Sequence, residues 1–584
     1  MKIIWRLLPF VKKYWPGMML ALTCLLISTA AGLFVPRQLG QGIDLVLHSG
    51  SQTSLIIAAI AIVGASAVNG FAGYGNQYLS QVVSQQVSYD LRNTMYDRLP
   101  RLSFAYHDKN QTGQLMSRAT VDVEAVRMFL AMGLLGIIGI IVQVLAITCL
   151  LVLLDWRLAL LTMAFVPIIA WRTFVVSNML RPVWLRVQQL MGTLGNTLQE
   201  SLMGIRVVKS FSRQEEEVRK FKVDAQKLYD EQMNAARLTA FNMPMMVFLL
   251  SIPAAIVLWY GGRQVIAGSL SIGGVAQFVL YLGTLAMPIR RLGVITNLYS
   301  RTVSAGQRIL EILDAESAVK DKPNARDIGR VKGDVAFENV SFGYNSVSPA
   351  LKDVTFRALP GQTVALLGGS GSGKSTLANL ISRFYDVTGG RVLVDGIDVR
   401  EATVSSLRRN VAIAQQDVFL FSNTIRSNIA YGLPDATPQQ VEEAAKAAQI
   451  HDFIQGLPQG YDTWVGERGL TLSGGEKQRI VIARTILMNP AILVLDDSMS
   501  SVDSETERLI RLALDRLIQG RTTFIITHRL PIIQNADLIL MLKDGQIVEQ
   551  GKHLDLMAQD GLYKHTFLAQ LEATQDLQAS LKED

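Results

Sequence analysis

A chain of 584 residues is too long for one hydrophobic core and has room for roughly two to four domains. Almost half of it is hydrophobic, only 18% is charged and the mean hydropathy is +0.26, a balance that excludes an ordinary soluble protein and makes a lipid bilayer the first partner. The formal charge of +7 suits cytoplasmic loops facing anionic lipid and requires no nucleic acid.

The start, "MKIIWRLLPFVKKYW", interleaves Trp5 and Trp15 with Lys and Arg, as a helix lying in the membrane interface does. A cleaved signal peptide is the alternative, disfavoured by the apolar runs that follow. Six runs stand out, at 17–43, 54–78, 129–154, 156–178, 243–267 and 272–298, none broken by an acidic residue. A bilayer crossing takes about 20 residues, so six spans are expected. Small residues inside them ("STAAG", "AIVGASAVNG", "GLLGIIGI") suit close helix packing in lipid.

Orientation follows from the basic residues. The segments 79–128 and 179–240 carry Arg92, Arg98, Arg101, Arg181, Arg186 and Lys209 among others, whereas "VLHSGSQTS" and "AGSLSIG" carry none. The long loops are therefore expected in the cytoplasm, with both termini. Arg37, Arg172, Arg290 and Arg291 read either as snorkelling side chains or as pathway residues. Cys24 and Cys149 both fall inside membrane runs, so there is no disulfide framework or zinc spacing to read.

Near residue 310 the polar stretch "LDAESAVKDKPNARDIGRVKGD" begins, which sets the expected domains at 1–310, a linker at 311–334, and 335–584. Beyond it, strand-like runs ("GQTVALLG", "GGRVLVDG", "AILVLDD", "TTFIITH") alternate with helical patterns, the mark of an α/β domain with a mostly parallel sheet. "GGSGSGKST" at 368–376 lies between a strand and a helix. Gly368, Gly369, Ser370, Gly371, Ser372 and Gly373 let backbone N–H groups wrap phosphate oxygens. Lys374 reaches the β- and γ-phosphates, Ser375 offers a hydroxyl to magnesium, and Thr376 continues the helix. Asp496 ends a second buried strand, where the acid that holds magnesium is expected. In "LSGGEKQR", 472–479, Ser473 and Glu476 form the S-x-x-E capping box of a helix start.

Taken with "GGSGSGKST", the stretch "LSGGEKQR" resembles the signature of the ATP-binding-cassette (ABC) transporter family. The resemblance covers essentially the whole chain. It implies an all-α transmembrane domain of six helices followed by an α/β P-loop nucleotide-binding domain that uses ATP and Mg2+. It implies that Ser473, Gly474 and Gly475 close over ATP held by another nucleotide domain. Tyr344 in "SFGY" is similar to the aromatic that stacks on adenine, Gln416 in "AQQDVFLF" (with Gln415 as the lesser candidate) to the glutamine that senses magnesium and the γ-phosphate, and His528 in "IITHR" to the γ-phosphate histidine. "SSVD" at 500–503 resembles the loop that crosses the dimer interface.

In the membrane half, 107–126 and 200–221 resemble the two cytoplasmic coupling loops of exporters, and "TWVGERG" at 463–469 the loop that meets them. Six spans ahead of one cassette is the layout of an exporter half-transporter, which implies a second chain, a small amphipathic substrate such as a drug, lipid or hydrophobic peptide, and a bacterial inner or plasma membrane with the cassette on the cytoplasmic side. An ATP-gated channel or regulator is the competing class.

One residue departs from the family pattern at a catalytic position. After the magnesium aspartate the family usually has glutamate, and this chain has Asp497. The missing methylene retracts the carboxylate by about an ångström, a misplacement that costs on the order of a hundredfold in rate. A weak catalytic site is expected, with an intact signature beside it. That is the pattern of one member of a heterodimer, ahead of a homodimer in which Asp497 serves as the base. Glu476 replaces the commoner glutamine, and its capping role turns it away from phosphate.

Overall fold

The computed structural model describes residues 2–48, 52–345, 348–414, 418–466, 469, 471–496, 504–527 and 530–583. The chain divides into two compact units, Met1–Pro100 with Thr112–Ala315, and Arg101–Gln111 with Glu316–Asp584.

The first unit is helical. A short amphipathic helix, Lys2–Lys12, buries Leu7 and Val11 and leaves Trp5 and Leu8 exposed, while Arg6 donates two hydrogen bonds of 2.8 and 2.5 Å to Asp314. The helices Trp15–His48 and Gln52–Arg98 follow, then the helical runs Thr112–Leu154, Trp156–Met203 and Gln214–Ile266, and last the helix Ile272–Asp314. Five of these are long and apolar enough to cross a membrane, and the sixth carries a shorter apolar stretch, Ile272–Leu285, among the described residues.

The helices outrun their apolar parts. Gln52–Arg98 has 47 residues, about 70 Å at 1.5 Å per residue, against a hydrocarbon thickness of roughly 30 Å. The segments 79–128 and 179–240, expected as long loops, are therefore mainly helix, interrupted at 99–103, 110–111, 204 and 211–213. Hydropathy marks only where a helix meets lipid. Beyond that point polar pairs hold the helices side by side: Thr197 donates to Asp224 at 3.0 Å and Ser201 to Glu217 at 2.8 Å. Lys13 and Tyr14 both donate to Asp90 at 2.8 Å, and Arg308 donates to the buried Asp122 at 2.7 Å.

Within the apolar zone Leu33, Ile147, Leu151, Leu158, Val257, Phe278 and Tyr281 form one buried cluster, and the Tyr281 hydroxyl donates to the Leu33 carbonyl at 2.9 Å. Gly40 and Gly273 approach closely, and a Cβ on Gly273 would stand 1.9 Å from the Gly40 oxygen. Only small residues permit helix backbones to come so near.

The second unit is α/β. Its strands are β1 (Val335–Phe342), β2 (Leu351–Ala358), β3 (Thr363–Leu367), β4 (Gly389–Val394), β5 (Ile397–Asp398), β6 (Val411–Ala414), β7 (Ile492–Asp496), β8 (Thr522–Ile526), β9 (Leu538–Lys543) and β10 (Gln546–Gly551). A four-stranded antiparallel sheet has the order β2-β1-β4-β5, and a six-stranded sheet the order β10-β9-β3-β8-β7-β6. In the latter β9, β3, β8, β7 and β6 are parallel and only β10 is antiparallel. β8 is buried along its whole length and β3 and β7 nearly so, as strands covered on both faces must be. Phe337 and Phe356 stack between the sheets at 4.7 Å, and Phe356 meets Phe524 edge-on at 6.2 Å.

Arg383 is the largest side chain buried to less than 2% exposure. It sits in left-handed backbone, φ 49°, and donates to Asp386 at 2.8 Å, to the Ala402 carbonyl at 3.2 Å and to the Lys320 carbonyl at 3.0 Å. One cation thus ties the polar stretch after the membrane half to the chain that follows the phosphate loop. Arg383→Met leaves these acceptors without their donor and is expected to cost about 3 kcal/mol. Calorimetry of the purified chain should show the lower-temperature unfolding of the second unit.

Candidate nucleotide site

Parallel β3, β8 and β7 bring their carboxyl ends to one edge of the sheet, the edge where α/β proteins bind ligands. β3 runs out into Gly368, and the loop closes at Gly373, the left-handed N-cap of the helix Lys374–Ile381. Two glycines are required by contact as well as by conformation. At Gly368 (φ +140°) a Cβ would lie 2.2 Å from the Leu542 carbonyl oxygen. At Gly373 (φ +104°) it would lie 2.6 Å from Leu351 and 2.9 Å from the Ala350 oxygen. Gly369, Ser370 and Gly371 are exposed, Ser372 is buried, and Ser375 is exposed in the first turn of the helix with Thr376 buried behind it.

Lys374 Nζ folds over the loop and donates to the Gly368 and Gly369 carbonyls at 2.7 and 2.8 Å. Burial pushes its ammonium below the ordinary lysine value, and the carboxylate of Asp496 opposes that shift. The two charges expected at the phosphates therefore feel one another across the carboxyl edge. Asp496 is the half-buried last residue of β7.

Tyr344 is 48% exposed. Its hydroxyl lies 3.2 Å from Thr376 Oγ1, and its ring meets Phe342 and Tyr385 edge-on at 5.0 and 5.2 Å. The adenine candidate is thus joined directly to the helix that follows the phosphate loop.

Ser473 caps the helix Gly474–Met488. The capping box expected from the sequence is present: Ser473 Oγ accepts from the Glu476 N–H at 3.4 Å, and Glu476 accepts from the Ser473 N–H at 2.8 Å. Ser473 and Gly474 are exposed and Gly475 is buried. The cavity beside the phosphate loop is lined by Gly368–Ser372 and by the helix Leu562–Glu583, with no signature residue. The cavity beside Asp496 includes Gln478 of the signature helix but not Ser473, Gly474 or Gly475. Neither of these two cavities is lined by both the phosphate loop and Ser473–Gly475. Gln415, Gln416, Asp497, 500–503 and His528 lie outside the described residues, as do Glu467 and Arg468 of "TWVGERG".

Comparison with known proteins agrees with this geometry. Residues 18–289 match the ABC transporter transmembrane region and residues 351–500 match the ABC transporter domain. An ATP-dependent lipid A-core flippase of Syntrophus aciditrophicus is 36% identical, with 96% of this chain and 94% of that protein covered. A putative multidrug export ATP-binding/permease protein of Bacillus subtilis is also 36% identical, with 98% and 100% covered. The structure of a bacterial Atm1-family ABC exporter with ATP bound superposes with a TM-score of 0.79 at 31% identity, over 95% of this chain and 98% of that one.

The chain belongs to the ABC transporter family. It is a multi-pass membrane protein that binds ATP, and an ATPase coupled to transmembrane transport.

One feature of this ABC transporter escaped the sequence reading. Its first unit holds a cavity of about 800 Å³. Asn69, Gly73, Asn76, Gln77, Ser80 and Gln81 of the helix Gln52–Arg98 line it, with Arg291 and the apolar Leu25, Leu135 and Ile295. The signal was the helical spacing of those polar residues, which continues past the apolar run at 54–78. The segment Arg101–Gln111 folds with the nucleotide unit, and it begins ahead of 107–126, the stretch that resembles a coupling loop. The signal for that earlier start was a pair of aromatic clusters, "FAYHD" and "RFYD", that no phosphate chemistry requires.

Gly373→Ala is expected to lower ATP affinity by at least about tenfold, since left-handed backbone alone costs 1–2 kcal/mol before the contact with Leu351 is added. Binding of a fluorescent ATP analogue to the purified chain checks it.

Proposed function

We propose that this ABC transporter is one half of an ATP-driven exporter in a bacterial inner or plasma membrane, with six membrane helices and with both termini and the nucleotide unit in the cytoplasm. The observation that supports the assembly is that neither nucleotide-edge cavity is lined by both the phosphate loop and the exposed signature residues. Exposed Ser473 and Gly474 begin a helix whose N-terminal partial charge favours phosphate, and a second chain supplies the phosphate loop they close upon. Each ATP then lies between Lys374 of one subunit and the signature of the other.

Mg2+ fits this site. Among the described residues no group of three or more His, Cys, Asp or Glu could cage a metal, which is expected of an ion held by one or two protein oxygens with phosphates and water. Asp496 and the exposed Ser375 are the protein oxygens, with Gln416 as the third candidate. Bound there, the ion neutralises charge building on the γ-phosphate. Lys374 binds the same phosphate, Tyr344 holds adenine, and His528 is assigned to the γ-phosphate.

Asp497 is assigned to the attacking water, from a position one methylene short of the usual glutamate. A partner subunit bearing the glutamate would carry most of the hydrolysis, which makes the working unit a heterodimer. The substrate is an amphipathic or hydrophobic compound. The relatives named as a lipid A-core flippase and a multidrug exporter support that class, and so does a cavity lined by amides of one helix and by leucine and isoleucine of others.

Purification from the native membrane should bring down a second chain of similar size. Homodimers turning over ATP at an ordinary transporter rate would overturn the heterodimer. In the complex, Asp497→Glu should raise single-turnover hydrolysis at the Lys374 pocket by on the order of tenfold to a hundredfold. An unchanged rate means that the carboxylate's reach does not limit that pocket.

A further inference from the structure

The segment Arg101–Gln111 belongs to the nucleotide unit although the chain on either side of it belongs to the membrane unit. Its helix, Phe104–Lys109, is held at two points. Phe104 stacks on Phe384 with 4.2 Å between ring centroids and 24° between planes, and the Arg408 guanidinium lies over the same Phe384 ring at 5.0 Å. Four residues on, Asp108 accepts a hydrogen bond from the Tyr385 hydroxyl. Asp108 is exposed and could be solvated by water, whereas Tyr385 is 9% exposed. The bond therefore satisfies a buried phenol that would otherwise lose its partner. Burial, and then Asp108, hold that phenol well above its ordinary pKa, so it remains a donor.

The other side of the Tyr385 ring is the adenine candidate. Tyr344 meets it edge-on at 5.2 Å and 89°, and Phe342 fills the angle between them at 5.0 and 5.4 Å. The Tyr344 hydroxyl lies 3.2 Å from Thr376 Oγ1. Direct contacts thus run without a gap from the phosphate-loop helix through two tyrosines to the segment joined covalently to the membrane helices. Close-packed rings do not turn independently. A base laid on the exposed face of Tyr344 presses its buried edge against Tyr385.

We propose that Tyr385 is a positioning residue that reads nucleotide occupancy from Tyr344 and passes it, through its hydrogen bond to Asp108, to the segment Arg101–Gln111. The proposal rests on Tyr344 holding adenine. It adds to that reading a route by which the base, as distinct from the phosphates, is sensed by the membrane half.

The test uses the full transporter in lipid nanodiscs, with any co-purifying partner, and hydrogen–deuterium exchange over 101–111 with and without Mg2+ and a non-hydrolysable ATP analogue. ATP affinity is measured on the same samples. Tyr385→Phe keeps the ring and removes only the hydroxyl. It should cut the nucleotide-induced change in exchange by roughly threefold or more, while ATP affinity stays within about twofold of wild type. Asp108→Asn, which keeps an acceptor, should respond as wild type, and Asp108→Ala should match Tyr385→Phe. The double variant Asp108→Ala/Tyr385→Phe should be no worse than either alone.

A wild-type response in Tyr385→Phe, or additive losses in the double variant, overturns the relay. Tyr344→Ala separates the two readings. Unchanged ATP affinity in that variant removes the adenine assignment and the relay with it. Lost affinity together with a normal response in Tyr385→Phe removes the relay alone.

Discussion

A peptide group in hydrocarbon has no water to bond, so every stretch of this chain that enters the bilayer must satisfy its backbone within a helix. That constraint sets the architecture of the first unit. Once a helix is formed, extending it costs little compared with starting it. The same helices therefore run on beyond the apolar zone, with serine, threonine and paired charges replacing leucine on their contact faces. Leaving lipid changes what a helix touches without changing what it is. The segment Arg101–Gln111 is where the chain stops serving the membrane unit and folds with the other.

The second unit depends on a different economy of space. β3 and β7 carry the phosphate loop and Asp496 to one edge because both run parallel to β8, the strand between them. The loop can wrap closely because neighbouring backbone, at Leu542 and Ala350, leaves no room for a side chain at Gly368 or Gly373. Arg383, Tyr344 and Tyr385 then connect this edge to the chain that arrives from the membrane half.

Much of this was legible in the sequence, and the reasons are physical. The phosphate loop, Asp496 and the capped signature helix are local: a few consecutive residues define each, and the strand before or the helix after is part of the pattern. The capping box was readable down to the side-chain bond of Glu476 for that reason. The helical extents were not, because hydropathy reports the solvent and leaves the conformation unstated. Tyr385 with Asp108 was not, because the two are separated by 277 positions and neither departs from what a packed tyrosine or a surface aspartate looks like. The cavity wall of Asn69, Asn76, Gln77 and Gln81 was half visible: the spacing was in the sequence, but three other helices decide what it faces.

The helix Gln52–Arg98 has a mechanical meaning beyond spanning the bilayer. A rod of about 70 Å is a lever, and the segment Arg101–Gln111 follows its carboxyl-terminal end. Tilting such a rod by about five degrees displaces its tip by about 6 Å, so small angular play in lipid becomes a large stroke in water. Gly64 and Gly70 soften it within its amino-terminal half, where nothing stands within 4 Å of the missing Cβ and packing does not demand a glycine. Each lowers helix stability by about 1 kcal/mol relative to alanine. The lever is more compliant in its amino-terminal half, and its arm, 76–98, holds no glycine.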